Sequence, residues 1–211
     1  MADSSPEELA RNAQRGATSS FEELVARFEG PLYHFLLLRV GRQAIAEELA
    51  QETFLRAWRK LHLYDPEQRF STWLFTLGKR IAASHTRRRA SVADKTVEAP
   101  PTEPLLERGF ADDPAELAQE REQGLRLWET ASRVLKVEQR SALWLRYAED
   151  LSAEDIARIL GRRASTVRVM LFRAREILAV HLEPPGPTPR NRENGRDVHT
   201  LLAQNGNGAS R

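Results

Sequence analysis

Apolar residues recur every three to four positions along most of this chain, and that spacing restricts what it can fold into. Leu24, Phe28, Leu32 and Phe35 mark one face of a helix, as do Ile45 and Leu49 and, further on, Phe54, Trp58 and Leu61. No convincing run alternates with a period of two, so the pattern predicts an all-α protein. Gly30-Pro31, Gly41 and Asp65-Pro66 are the expected breaks between helices, because glycine and proline punctuate helical patterns. A further helix is expected from Phe70 to Arg89, with Ser71 as its N-cap and basic residues at the end where the helix dipole favours them.

The character of the sequence changes at residues 91–119, which hold four prolines and seven acids against two bases. Such a stretch cannot bury enough apolar surface to order itself and reads as an acidic tether, with at most one helical turn around Leu105–Phe110. Helical periodicity returns at about Leu117 and continues to Leu182. The end, residues 183–211, is rich in Pro, Asn, Gly and Arg and reads as a disordered tail. The expectation is an N-terminal segment (1–19), a helical domain (20–90), a flexible linker (91–119), a second small helical domain (120–182) and the tail.

In the second domain, three helices are expected. The first runs from roughly Glu138 to Glu149. A short one opens on Ser152, where S-A-E-D puts Asp155 in the place of a capping-box acid, and has Ile156, Ala157 and Leu160 on its inner face. Gly161 then supplies a left-handed residue, and a longer helix follows from Ala164 to His181 with Val167, Leu171, Ala174 and Leu178 inward. Short helix, glycine turn, longer helix is the helix-turn-helix layout, whose second helix enters the major groove of DNA.

Charge supports that reading. The whole chain carries 32 Lys and Arg against 30 Asp and Glu, a net +2, so its pI near 9.2 overstates its basicity. Yet Ile156–Arg175 holds six arginines and no acid, whereas a merely solvated face mixes both signs. Ser165, Thr166, Arg168 and Val169 fall at the leading end, where side chains reach base edges. Arg173 and Arg175 lie further back, better placed for phosphates.

Several function classes are disfavoured. With no cysteine there is no disulfide frame, thiolate zinc site or thiol nucleophile. The five histidines are dispersed, no cluster has metal-ligand or acid–base spacing, and no glycine-rich phosphate loop occurs. The expectation is therefore no enzyme, no cofactor and no metal. No apolar window reaches spanning length and the start of the chain has no apolar signal core, which predicts a cytoplasmic protein without a membrane span.

The run RSALWLRYAEDLSAEDIARILGRRASTVRVMLFRAREIL also resembles a family. Its L-R-Y, L-S-x-E-x-I-A-x-x-L-G, T-V-R and R-A-R elements are similar to the region 4 helix-turn-helix of bacterial extracytoplasmic-function (ECF) sigma factors. In that family the unit binds the −35 promoter element. The resemblance implies that Arg162, Arg163, Ser165, Thr166, Arg168 and Arg173 face DNA, with Arg175 on the same helix. Arg163, whose side chain cannot accept from the orphan N–H groups, stands where the family usually has a small hydroxyl residue that can, and Met170 stands where a basic residue is frequent.

In the first domain, AEELAQETFLRAWRKL (Ala46–Leu61) puts Leu49, Phe54, Ala57 and Trp58 on or near an inner side and Glu47, Glu48, Gln51, Glu52 and Arg56 outward. Spacing alone fits an amphipathic core helix with a solvated face. The stretch is also similar to region 2.2 of ECF sigma factors, which docks on the clamp helices of RNA polymerase. That resemblance implies a polymerase contact through Glu48, Gln51, Glu52 and Arg56. The following YDPEQRFSTWLFTLGKRIAASHTRRR interleaves aromatics with bases and has no acid between Glu67 and Asp94, a composition suited to single-stranded DNA. It resembles regions 2.3 and 2.4, implying that Tyr64, Phe70, Trp73, Lys79, Arg80, Arg87 and Arg88 hold the melted −10 strand, at a cost in unstacking that binding must offset. Arg80 and Ser84 depart from the family's frequent Asn and Asp.

Together these imply a sigma factor whose partners are core RNA polymerase, promoter DNA in duplex and melted form, and an anti-sigma protein. Two other classes remain in play from sequence: a self-standing helix-turn-helix regulator that binds promoter duplex without polymerase, and a sequestering adaptor, which leaves both basic segments unexplained.

Overall fold

The computed structural model describes residues 4–92, 124 and 126–182, and every regular element among them is helical. The described residues divide into two compact units, one built on the helices up to residue 92 together with Arg158–Arg162, the other on residues 124–157 and 163–182. The expectations for the linker turn at Leu105–Phe110 and for the tail lie outside the described residues.

The first unit contains α1 (Pro6–Gln14), α2 (Thr18–Val40), α3 (Gln43–Lys60), a 3-10 turn η1 (Leu61–Leu63) and α4 (Phe70–Val92). A full capping box starts α1: the Ser5 hydroxyl accepts from Glu8 N at 3.2 Å, and the Glu8 carboxylate accepts from Ser5 N at 3.1 Å. The expected break at Gly30-Pro31 does not occur, because α2 runs through it. Pro31 removes one intrahelical N–H, but Phe28 and Leu32 on either side, with Leu24 and Phe35, are all buried on one stripe. Burying each such side chain contributes about 1.5–3 kcal/mol, which outweighs one lost bond and its strain of about 3 kcal/mol. Gly41 does end α2, at φ 70°, with its N–H donating to Leu37 O at 2.8 Å.

The core of this unit gathers Leu32, Phe35 and Leu36 of α2, Leu49 of α3 and Phe70, Leu74, Phe75 and Ile81 of α4. Phe35 and Phe75 meet edge-on with ring centroids 5.2 Å apart. At Gly78 the α4 backbone passes so close to α2 that a Cβ would stand 3.0 Å from the Leu32 Cδ1. Helix α4 starts at Phe70, two residues earlier than a Ser71 cap allows. The cap comes instead from α1: Glu7 Oε1 accepts from Phe70 N at 3.0 Å.

The described residues from 124 onward form four helices, one more than the sequence pattern suggests: α5 (residues 126–134), α6 (Val137–Tyr147), α7 (Ala153–Leu160) and α8 (Ala164–Leu182). Leu127, Trp128 and Ala131 of α5 join Leu143 and Leu145 of α6 in the buried set, and Trp128 meets Trp144 at 5.6 Å. The buried Arg140 donates to Ser132 O at 2.7 Å, satisfying a carbonyl in the last turn of α5, and burial lowers its pKa from the ordinary arginine value.

Candidate nucleic-acid interface

The pair α7–α8 has the expected local chemistry. The Ser152 hydroxyl accepts from Asp155 N at 3.0 Å and donates to the Asp155 carboxylate at 2.6 Å. The acid thus closes the box on the cap hydroxyl. Gly161 has φ 65°, the left-handed value that allows α7 to stop. Val167, Leu171, Ala174 and Leu178 form the buried line of α8.

That buried line fixes what α8 shows to solvent. Arg162, Arg163, Ser165, Thr166, Arg168 and Arg173 are all exposed, at or along the leading half of the helix. The Arg168 guanidinium pairs with the Glu154 carboxylate across the α7–α8 turn. Both partners are largely in water, so the pair adds little stability; its effect is to hold the guanidinium at the front of the helix. Arg175 differs from the others: it is half-buried and donates to the Tyr147 hydroxyl at 3.3 Å, so part of its hydrogen-bonding capacity braces α6. Val169, expected at the leading end, is 49% exposed, and Phe172, which charge-based reasoning missed, completes the face at 54% exposure. Their signal lay in the pattern, since both are apolar yet stand opposite the buried line. An apolar group there suits a thymine methyl.

In the first unit, Glu48, Gln51 and Arg56 are exposed and Glu52 half-buried, with a 2.5 Å ion pair between Glu52 and Arg56. Between them stands Leu55, 59% exposed, on the side of α3 opposite the buried Ala46, Leu49, Thr53 and Ala57. An apolar centre with a polar rim is the anatomy of a protein-docking patch. Trp58, expected near the inner side, is exposed instead and leans on Phe21 with ring centroids 4.9 Å apart.

The aromatic residues placed on the melted-strand surface need correction. Tyr64 is 3% and Phe70 0% exposed, so both are core residues in this structure and neither offers a ring face to a base. The reason is mutual packing: Tyr64 meets Phe70 at 5.5 Å and Trp73 at 5.2 Å, and its hydroxyl donates to Gln68 O at 2.5 Å. Burial, with the charges of Glu7 and Asp65 adding to it, raises the Tyr64 pKa well above the ordinary phenol range, so the hydroxyl stays a neutral donor. Trp73 remains at the rim, half-buried. On α4, Lys79 is half-buried while Arg80, Arg87 and Arg88 are exposed, and Arg80, Ser84, Arg87 and Arg88 share one face by helical spacing. That face can track phosphates; the stacking platform is narrower than the composition suggests.

Among the described residues no group of three acids and histidines could hold a metal ion, and no helix is long and apolar enough to cross a membrane.

Comparison with known proteins bears on both surfaces. Residues 24–92 match the family Sigma-70 region 2, and residues 125–178 match Sigma-70, region 4. The chain is 30% identical over 182 residues to the RNA polymerase sigma-H factor of Pseudomonas aeruginosa, covering 84% of this chain and 94% of that one. It is 26% identical over 175 residues to the ECF RNA polymerase sigma factor SigW of Bacillus subtilis, covering 82% and 94%. With the ECF RNA polymerase sigma factor BldN of Streptomyces coelicolor it shares 28% identity over 174 residues, 82% of this chain but 64% of the relative's own length. In fold it is similar to CnrH, solved in complex with the cytosolic domain of CnrY, at a TM-score of 0.57 and 24% identity, covering 86% of this chain and 99% of that one. It is likewise similar to the sigma factor RpoE solved with the anti-sigma factor NepR from Bartonella quintana, at a TM-score of 0.55 and 22% identity, covering 78% and 98%.

Proposed function

The chain belongs to the sigma-70 family of RNA polymerase sigma factors, in its ECF branch, and from that membership we propose that it docks on core RNA polymerase through the outer face of α3 and directs it to promoters. The observation that carries this reading is Leu55, an exposed leucine ringed by Glu48, Gln51, Glu52 and Arg56. Leaving a leucine in water forgoes about 2 kcal/mol, a cost that a partner surface removes. The charged rim sets register and on-rate.

On this reading α8 lies in the major groove at the −35 element. Arg162, Arg163, Ser165, Thr166 and Arg168 meet base edges and phosphates, Val169 meets a thymine methyl, and Arg173 meets the backbone. The segment between η1 and α4 holds the melted −10 strand together with Trp73 and the Arg80–Arg87–Arg88 face, while the buried Tyr64 and Phe70 shape it from beneath. Two chains of similar fold are solved with protein partners, one of them an anti-sigma factor, which supports an anti-sigma partner for this chain as well.

The test is association of the labelled full-length chain with purified core polymerase, measured by anisotropy. Leu55→Asp is expected to weaken binding at least tenfold without lowering the thermal midpoint, since Leu55 lies outside the core. Failure of the wild-type chain to bind core polymerase would remove the reading.

A further inference from the structure

Helix α1 lies before the region matched by the Sigma-70 region 2 family, yet it is tied to the segment proposed above to hold the melted strand. The ties are specific. The Gln14 side-chain amide donates to Leu61 O and to Tyr64 O, each at 2.8 Å. Only the NH2 end of an amide can serve two carbonyls at once, so the orientation of Gln14 follows from its partners. At the other end of the same segment, Glu7 Oε1 accepts from Phe70 N at 3.0 Å and supplies the cap that α4 lacks locally.

Between these anchors the segment is short and mostly exposed: Asp65, Glu67, Gln68 and Arg69 face solvent. Inside it, Gln68 N donates to Asp65 O at 3.0 Å and the Tyr64 hydroxyl closes on Gln68 O. Helix α1 is itself well held. Leu9, Ala10 and Ala13 are buried, its capping box is complete, and Arg27 of α2 donates to Ser4 O at 3.0 Å. One nine-residue helix therefore grips both ends of a loop 47–63 residues away in sequence.

We propose that α1 is the positioning element of the 61–70 segment, with Gln14 and Glu7 as positioning residues that hold the loop in the form that captures the melted strand. The proposal rests on the reading of that segment given above. Neither side chain touches DNA. Each acts by keeping two ends of the loop at a fixed separation, so that the strand does not have to order the loop as it binds.

The test uses the full-length chain in two arms. In the first, hydrogen exchange of residues 61–70 is followed in the free protein. In the second, wild-type and variant holoenzymes are compared for strand opening, read by permanganate reactivity, on promoter duplexes selected from a randomised pool by the wild-type holoenzyme. Gln14→Met removes both donors and keeps the length, and Glu7→Ala removes the acceptor. Each is expected to speed exchange in 61–70 about tenfold and to lower opening about tenfold, with core affinity changed less than about twofold. Glu7→Gln keeps an acceptor oxygen and is expected to restore wild-type opening. Ser5→Ala weakens the helix's own cap without touching the loop and is expected to leave opening within about twofold. Unchanged exchange in Gln14→Met would overturn the proposal, as would an equal loss of core affinity and opening, or a Ser5→Ala defect as large as that of Gln14→Met. If the wild-type holoenzyme opens no promoter, the strand-capture reading fails, while the exchange arm still decides whether α1 holds the loop.

Discussion

Replacing Ser152 by alanine tests how the helix-turn-helix is held together. The Ser152 hydroxyl makes two bonds in this structure, accepting from Asp155 N at 3.0 Å and donating to the Asp155 carboxylate at 2.6 Å. Loss of an N-cap costs about 0.5–2 kcal/mol, and loss of a hydrogen bond to a charged group about 1.5–3 kcal/mol. The two overlap at one side chain, so their sum is an upper bound and about 2 kcal/mol is the expected cost. That is roughly a thirtyfold change in the folded-to-unfolded ratio of the unit that carries α7. Because the chain has two units, a single melting curve does not isolate this change. Hydrogen exchange of the α7 amides in the intact chain does, and it is expected to rise about thirtyfold in Ser152→Ala and little in Ser152→Thr, which keeps the hydroxyl. If the unit is stable by about 5 kcal/mol, the variant remains more than about 99% folded at 25 °C. Duplex binding should then be almost unchanged while exchange is much faster. Exchange within about twofold of wild type, or equal damage from Ser152→Thr, would refute the reasoning.

Other perturbations separate reading from folding. Arg168→Ala is expected to weaken promoter-duplex binding by about 1–3 kcal/mol while core affinity holds, measured by anisotropy on holoenzyme. Gly161→Ala places a Cβ at φ 65° and is expected to lower the stability of the α7–α8 turn by about 1 kcal/mol, read by denaturant unfolding. Glu149, half-buried after α6, has its carboxyl pushed up to about 7 by burial. Its folded pKa lies above its unfolded one, so stability falls as pH rises from the ordinary carboxylate value to about 7 and is flat above. Glu149→Gln is therefore expected to stabilise the protein at pH 8 by up to about 3 kcal/mol, and to lose its advantage below pH about 4. A gain at pH 8 that persists undiminished at low pH would contradict that assignment.

What could be read from the sequence was the local chemistry. Ser152 with Asp155, Gly161, and the line Val167–Leu171–Ala174–Leu178 are all set by neighbours within one or two turns, and each appears where the spacing puts it. The exceptions are tertiary. Pro31 signals a break locally, but the buried stripe on both sides of it carries α2 through. Aromatic residues followed by bases suggest stacking, yet composition does not tell which rings pack on one another, and Tyr64 and Phe70 do. Glu7 caps a helix 63 residues away, so Ser71, the nearest hydroxyl, looked like the cap. Leu55, Val169 and Phe172 were visible as apolar residues off the buried stripes and are the most informative exposed side chains of the two faces.

The central claim is that the two units act together on behalf of polymerase. Its direct test is run-off transcription with purified core polymerase, the full-length chain and promoter duplexes selected by the reconstituted holoenzyme. The account predicts a discrete transcript that requires both chain and core and is lost with Leu55→Asp. Tight binding of promoter duplex by the chain alone, with no transcript in the presence of core, would contradict it.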